Sequence, residues 1–237
     1  MIKAFLLATV LALVVIPPVH AYEFEDGSVE VAFTTRSISA AVTGGGNTRG
    51  PALAVMKDDT VLLGGGRTGG ELLSFNKDGK TLRKLGSFIP SNRRIVDSRF
   101  AINDIAVLSE NSATAKLLIS YPRLGAGRSC VEIAVDELVY DRKKQKATFV
   151  SNWFITKPCV PISAVQHTAG RFELIDKKSV YVTFGDLGYS LISDRAKRGD
   201  LGSIFKLTAS SASRVSEGHR NPQGIILYDK THLLAAE

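Results

Sequence analysis

The stretch from Val131 to Phe154 decides the fold; it reads VEIAVDELVY, then DRKKQK, then ATFVSNWF. Two apolar or alternating runs flank a short polar segment, a pattern that predicts two β-strands joined by a tight turn. The densest basic run of the chain lies in that turn: Arg142, Lys143, Lys144 and Lys146. We interpret this run as a solvated hairpin tip and expect no nucleic-acid partner, because no groove-entering helix or RNA-binding motif accompanies it.

Strand-like runs of this kind recur through the chain, with turn signals such as Asn76-Lys77-Asp78-Gly79 between them. Helical periodicity of useful length is almost absent after the N-terminal segment, so the sequence predicts an all-β fold. The 237 residues are 44% hydrophobic, which excludes intrinsic disorder, and their net charge is +7. The predicted strands are Leu53–Met56, Thr60–Leu63, Glu71–Phe75, Thr81–Leu85, Asp104–Leu108, Ala115–Tyr121, Val131–Tyr140, Ala147–Phe154, Arg171–Ile175, Ser179–Phe184, Ser203–Leu207, Gly224–Tyr228 and His232–Ala235.

An all-β chain of this length is compatible with a sandwich, a barrel or part of a propeller. About a dozen strands in successive hairpins correspond to roughly three four-stranded blades, whereas closed propellers usually have four to eight. A propeller chain of this size is therefore expected to be incomplete or to need a partner. We expect its open edge to favour self-association.

The first 21 residues have the organisation of a signal peptide. Lys3 supplies a positive charge, Ala4 to Ile16 form an apolar run, and Val19-His20-Ala21 fits a cleavage site. Pro17-Pro18 interrupts the apolar run too early for a stable membrane anchor. The sequence thus predicts a secreted or periplasmic protein whose propeller domain occupies residues 22–237.

Export bears on the two cysteines, Cys130 and Cys159. An oxidising compartment favours a disulfide between them, and the alternative is a pair of buried free thiols. Two cysteines without a nearby histidine cluster do not make a zinc site.

The glycine-rich segment Gly64 to Gly69 satisfies G-x-G-x-x-G. A dinucleotide site would need a helix to begin there, but the residues from Glu71 onward predict a strand. We interpret the segment as a loop.

Gly218-His219-Arg220-Asn221-Pro222-Gln223-Gly224 is the most informative segment for function. It places a guanidinium and two amides within four positions, a set that suits a planar, anionic, carbonyl-rich ligand. The alternative is a well-hydrogen-bonded turn with no ligand.

This segment resembles the G-H-R-N-P-Q-G motif of the soluble glucose and aldose sugar dehydrogenases, six-bladed propellers dependent on pyrroloquinoline quinone (PQQ) and also called the glucose/sorbosone dehydrogenase family. Gln166 to Phe172 is similar to the segment that carries the family's catalytic histidine. Tyr181 to Asp186 resembles its Y-x-T-x-G-D strand end, and Leu201 to Leu207 resembles L-G-K-V-L-R-L. The resemblance extends from about Gln166 to Glu237.

The resemblance implies oxidation of an aldose by hydride transfer to PQQ, with calcium as a second cofactor and with the sugar and the electron acceptor undefined. His167 would be the general base that takes the proton of the anomeric hydroxyl, and Asp186 would hold it. Arg220 would stabilise the reduced quinone, Asn221 would hydrogen-bond it, and Gln223 would support the turn or the cofactor.

The sequence also departs from the family. Ser203 replaces a basic residue, and the linker from Thr208 to Glu217 is shorter than usual. In the family the position of Glu237 is followed by H-G-P or Q-G-P, whose carbonyls bind the calcium. We therefore expect this chain to be the N-terminal part of such a dehydrogenase, without turnover on its own; the alternative is a secreted, non-catalytic propeller module that binds a ligand.

Overall fold

The computed structural model describes residues 20–23, 30–33, 52–66, 68–76, 81–94, 99–162 and 167–237. The chain divides into two units, residues 1–37 and 38–237. In the first unit, strand β1 (His20–Glu23) pairs antiparallel with β2 (Glu30–Phe33). The predicted leader lies outside the described residues except for positions 20 and 21, so its cleavage stays a prediction.

The second unit contains three successive four-stranded antiparallel sheets, in each of which neighbouring strands follow one another along the chain. The first sheet comprises β3 (Ala52–Val55), β4 (Val61–Gly65), β5 (Glu71–Phe75) and β6 (Leu82–Ser87). The second comprises β7 (Asp104–Glu110), β8 (Thr114–Leu124), β9 (Cys130–Asp141) and β10 (Lys146–Ile155), with the short β11 (Val160–Pro161) added to β9. The third comprises β12 (Ala169–Asp176), β13 (Ser179–Phe184), β14 (Ser203–Thr208) and β15 (Ala212–Glu217). The hairpin of β16 (Gly224–Leu227) and β17 (Leu233–Ala236) follows, and a 3₁₀ turn, Ser91–Arg93, lies between the first two sheets.

The first strands of successive sheets lie side by side: β7 contacts β3 and β12, and β12 contacts β16. The Phe172 amide on β12 donates to Asp104 Oδ2 on β7 over 2.8 Å, and the Leu227 amide on β16 donates to Glu173 Oε1 on β12 over 3.1 Å. Sheets that meet at their first strands have the arrangement of propeller blades. The all-β prediction is confirmed, and the six-bladed ring stays a prediction.

Two apolar cores lie between the sheets. On β8, Leu117 and Ile119 face the first sheet, where they pack with residues such as Leu72. Leu118 faces the third sheet and packs with residues such as Phe184. Because a strand alternates its side chains between two faces, a middle sheet covered on both faces needs a nearly continuous apolar run.

The structure corrects one feature of the predicted linker from Thr208 to Glu217, since it contains β15. The strand was missed because its residues are polar and mostly exposed. An outer edge strand packs little apolar surface, so no alternation marks it in the sequence.

The turn between β9 and β10 is a hairpin tip as predicted, but Arg142 is not a solvated residue there. Its guanidinium contacts the carboxylates of Asp58 and Glu110, and only 16% of its side chain is exposed. It therefore ties the first sheet to the second.

The predicted disulfide is present: Cys130 at the start of β9 is bonded to Cys159, and their Cα atoms are 5.4 Å apart. The glycine-rich segment lies between β4 and β5, and no helix begins among the residues of this segment that the structure describes. Among the described residues no helix is long and apolar enough to cross a membrane.

Candidate functional site

The register of the third sheet brings the predicted site residues to one end of that sheet. A cross-strand row runs from Ala169 through Phe184 and Ser203 to Glu217. Since neighbouring strands are antiparallel, the start of β12, the end of β13 and the end of β15 all lie at this end. The loops beyond that row carry His167, Asp186 and Arg220, which are distant in sequence.

His167 and Asp186 are in direct contact, with 2.9 Å between His167 Nδ1 and Asp186 Oδ1. The same carboxylate oxygen accepts a hydrogen bond from the Gly188 amide over 2.7 Å. A carboxylate can only accept, so Nδ1 carries the proton, and in the neutral ring Nε2 then has a free lone pair. His167 Nε2 has no hydrogen-bond partner among the described residues. This arrangement makes the ring a proton acceptor.

The backbone around this pair is unusual. His167, Ala169 and Leu187 have φ values of 48°, 48° and 54°, in the left-handed region that residues with a side chain rarely adopt. Such conformations persist only where the surroundings enforce them, and they cluster at functional sites.

Gly185 makes the contact between the two loops close. A Cβ atom at this position would lie 1.7 Å from the carbonyl oxygen of His167. Only glycine lets the two backbones approach so closely.

The segment 218–224 docks on this pair through its backbone. The Arg220 carbonyl accepts a hydrogen bond from the Asp186 amide over 2.8 Å, and the Pro222 carbonyl accepts from Thr183 Oγ1 over 3.0 Å. The Arg220 side chain is exposed and makes no ion pair with any described residue. Its charge is therefore available to a ligand.

Hydrogen bonds fix the orientation of the Asn221 amide. Its oxygen accepts from the Ala169 amide over 3.2 Å and from Gln223 Nε2 over 2.8 Å. The Asn221 NH₂ group has no partner within the described part of the chain. Gln223, expected to support either the turn or the cofactor, here contacts the turn.

Sequence reasoning missed two further carboxyl groups near this end. Asp104 accepts the Phe172 amide, and burial raises its pKa, although hydrogen bonds from the Phe172 and Ile105 amides and the charge of Arg171 oppose that shift. Glu237 lies close to His219 and to the Arg220 amide. Burial opposes its ionisation, but the hydrogen bonds from these two groups lower its pKa overall. No local motif indicates either contact, because each spans two sheets or a hairpin.

A cavity of about 280 Å³ adjoins the pair and is lined in part by Asp186, Arg198, His219 and Arg220. A larger cavity of about 720 Å³ lies along the first strands β3, β7 and β12; Asp104 lines it, whereas His167, Asp186 and Arg220 do not. The described residues contain no group of three or more His, Cys, Asp or Glu that could hold a metal ion.

Successive four-stranded antiparallel sheets that meet at their first strands place the chain in the class of propeller-like all-β proteins. Among solved structures, it is similar to a glucose dehydrogenase with a TM-score of 0.62 and 16% identity, over 79% of this chain and 56% of that chain. A second glucose dehydrogenase gives a TM-score of 0.60 and 17% identity, over 78% of this chain and 60% of that chain. The soluble aldose sugar dehydrogenase of Escherichia coli, in its apo-form, gives a TM-score of 0.59 and 22% identity, over 74% of this chain and 53% of that chain.

These similarities confirm the predicted resemblance at the level of the fold. The chain spans 53% to 60% of the length of the three proteins. No family model matches the sequence, and no curated protein gives a significant match.

Proposed function

We propose that this chain carries the active site of a PQQ-dependent sugar dehydrogenase that oxidises an aldose at its anomeric carbon. The observation that carries the proposal is the 2.9 Å contact between His167 Nδ1 and Asp186 Oδ1. His167 and Asp186 are 19 positions apart in the sequence, and together they form an oriented base. The Arg220 carbonyl contacts this pair by accepting a hydrogen bond from the Asp186 amide. The dehydrogenase motifs around these residues and the shared fold support the proposal.

The donor set suits PQQ, which has three carboxyl groups and two quinone carbonyls. The exposed Arg220 guanidinium can pair with a carboxylate. The Asn221 NH₂ group, held outward by the two bonds to its oxygen, can donate to a carbonyl. Gln223 would hold Asn221 rather than touch the cofactor.

His167 would take the proton of the anomeric hydroxyl on Nε2 as the hydride leaves the anomeric carbon. When bound, PQQ would supply the acceptor for that hydride. Asp186 would keep the ring in the required tautomer and stabilise the imidazolium that forms. Arg220 would place positive charge beside the developing negative charge.

We further propose that the complete propeller ring has six blades. Calcium would assist PQQ, and no calcium ligand is assigned in this chain. A disulfide suits an exported protein, and we propose a periplasmic or secreted location.

The test is to titrate the purified 237-residue chain with PQQ in the presence of calcium and to measure the dissociation constant. Arg220→Ala should weaken binding about 10- to 100-fold, the effect of losing a charge-assisted hydrogen bond. Arg83→Ala, which removes an exposed arginine from β6, is the matched control and should change nothing.

Product formation from glucose is then followed with PQQ bound. Because this chain is expected to have no turnover on its own, a rate above background would contradict that expectation. Where such a rate is measured, His167→Ala should lower it about 10²- to 10⁴-fold, whereas His232→Ala, at an exposed histidine in another turn, should not. Equal PQQ affinity in Arg220→Ala, or a rate insensitive to His167→Ala, would contradict the assignment. Bound PQQ without sugar oxidation agrees with the expectation that this chain has no turnover on its own, whereas a chain that does not bind PQQ would favour the non-catalytic module.

A further inference from the structure

Three side chains around Gly218 form a continuous hydrogen-bonded relay. Ser216 Oγ lies 2.7 Å from His219 Nε2, and His219 Nδ1 lies 2.7 Å from Glu237 Oε1. The second carboxylate oxygen, Glu237 Oε2, accepts the Arg220 amide over 3.1 Å. The relay thus links the end of β15 to the end of β17 across the turn that carries Arg220.

The proton positions in the relay follow from the chemistry of its members. The Glu237 carboxylate can only accept, so His219 Nδ1 must carry a proton. His219 Nε2 in the neutral ring then accepts the hydrogen of Ser216 Oγ. The lowered pKa of Glu237 keeps the carboxylate ionised at neutral pH.

Serine, histidine and glutamate in this order are also the connectivity of a hydrolase triad. A triad needs free backbone N–H groups to stabilise an oxyanion. Here the Gly218 and His219 amides both donate to the Gly202 carbonyl, over 2.9 and 3.0 Å, and the Arg220 amide donates to Glu237. These three amides are therefore not free to stabilise an oxyanion, and we assign the relay a different role.

We propose that Ser216, His219 and Glu237 are positioning residues that hold the backbone of Arg220 and, through it, the His167–Asp186 pair. The connection is continuous, because the Arg220 amide is bound by Glu237 while its carbonyl accepts the Asp186 amide over 2.8 Å. The two peptide units that flank the Arg220 Cα are thus both fixed, the first by the Glu237 carboxylate and the second by the backbone amide of Asp186. The effect on cofactor affinity rests on the proposed function, whereas the effect on the two amides does not.

The relay is tested with a graded series at one position in the 237-residue chain. Glu237→Ala removes both acceptors, and Glu237→Gln keeps one acceptor but turns the other atom into a donor. Asp229→Ala is the matched control, since Asp229 makes a similar 2.7 Å contact with His232 in an exposed turn away from the site.

The first readout is ¹⁵N NMR of the histidine rings together with amide hydrogen exchange. His219 should show the Nδ1–H tautomer in the parent chain and lose it in Glu237→Ala. The Arg220 amide should exchange about 10- to 100-fold faster in Glu237→Ala, the effect of losing a hydrogen bond to a charge, with Glu237→Gln in between. Hydrogen exchange at the Asp186 amide should accelerate in the same order, from the parent chain through Glu237→Gln to Glu237→Ala.

The second readout is the PQQ dissociation constant, which should rise in the same order while Asp229→Ala leaves it unchanged. A His219 ring in the Nε2–H tautomer, or Arg220 and Asp186 amides that exchange alike in all variants, would overturn the positioning role. If no variant binds PQQ but the NMR series behaves as expected, the proposed function fails and the relay stands.

Discussion

Gly185→Ala tests the central packing contact of the site. The added Cβ would lie 1.7 Å from the His167 carbonyl oxygen and 2.6 Å from its carbonyl carbon. Both atoms belong to backbone, so no side-chain rotation relieves the clash. Because nonbonded heavy atoms need about 3.5 Å, the two loops would have to separate by roughly 1.8 Å. A shift of that size breaks the 2.9 Å hydrogen bond between His167 and Asp186.

The free energy of unfolding should fall accordingly. Overpacking costs about 1–3 kcal/mol and the lost hydrogen bond about 1 kcal/mol, so we expect a decrease of about 2–4 kcal/mol. For a domain of this size the melting temperature should drop by roughly 5–15 °C.

The assay is urea denaturation combined with the ¹⁵N spectrum of His167. Gly127→Ala is the control, since a Cβ there would meet its nearest neighbour, Ser129 Oγ, only at 3.7 Å. It should be neutral or slightly stabilising, by up to about 1 kcal/mol. A Gly185→Ala variant as stable as Gly127→Ala, with the His167 tautomer unchanged, would refute the proposed packing of the site.

Three further predictions concern stability. Reducing the disulfide between Cys130 and Cys159, which are 29 residues apart, should lower the free energy of unfolding by about 3.5 kcal/mol on the chain-entropy model, measured by urea denaturation with and without reductant. Arg142→Met should lower it by about 1–3 kcal/mol, because the low-exposure Glu110 carboxylate loses its arginine partner and keeps only the Lys57 amide; an unchanged midpoint would contradict the inter-sheet role. The raised pKa of Asp104 means that the folded chain keeps a proton which the unfolded chain releases. Stability should therefore fall as pH rises from about 3.9 to the raised value, and Asp104→Asn should remove that slope in urea titrations at several pH values.

The parts of the fold that sequence predicted are those with apolar alternation or flanking turn residues. Every strand predicted from Leu53 onward overlaps a strand of the structure. The polar edge strand β15 and the two-residue β11 gave no such signal. Sequence patterns report the burial of side chains, so an edge that buries little is invisible to them.

The features of the site also differ in how well the sequence predicts them. The segment 218–224 stood out because Arg220 and two amides are packed into a few positions. The left-handed backbone at His167 and the contact of Glu237 with the Arg220 amide could not be read from local sequence. Both depend on which loops the sheet register brings together, and one residue of slippage would move them apart.

That dependence couples the stability of the third sheet to the geometry of the site. Left-handed conformations at His167, Ala169 and Leu187 each cost about 1–2 kcal/mol. Fully burying one large apolar side chain stabilises by about 1.5–3 kcal/mol, so the core around Phe184 must offset the strain. Phe184 is fully buried and directly precedes Gly185. The same residues that close the core between the second and third sheets therefore hold the strained loops in place, which is why the site lies at the end of a sheet covered by its neighbour rather than on a free edge.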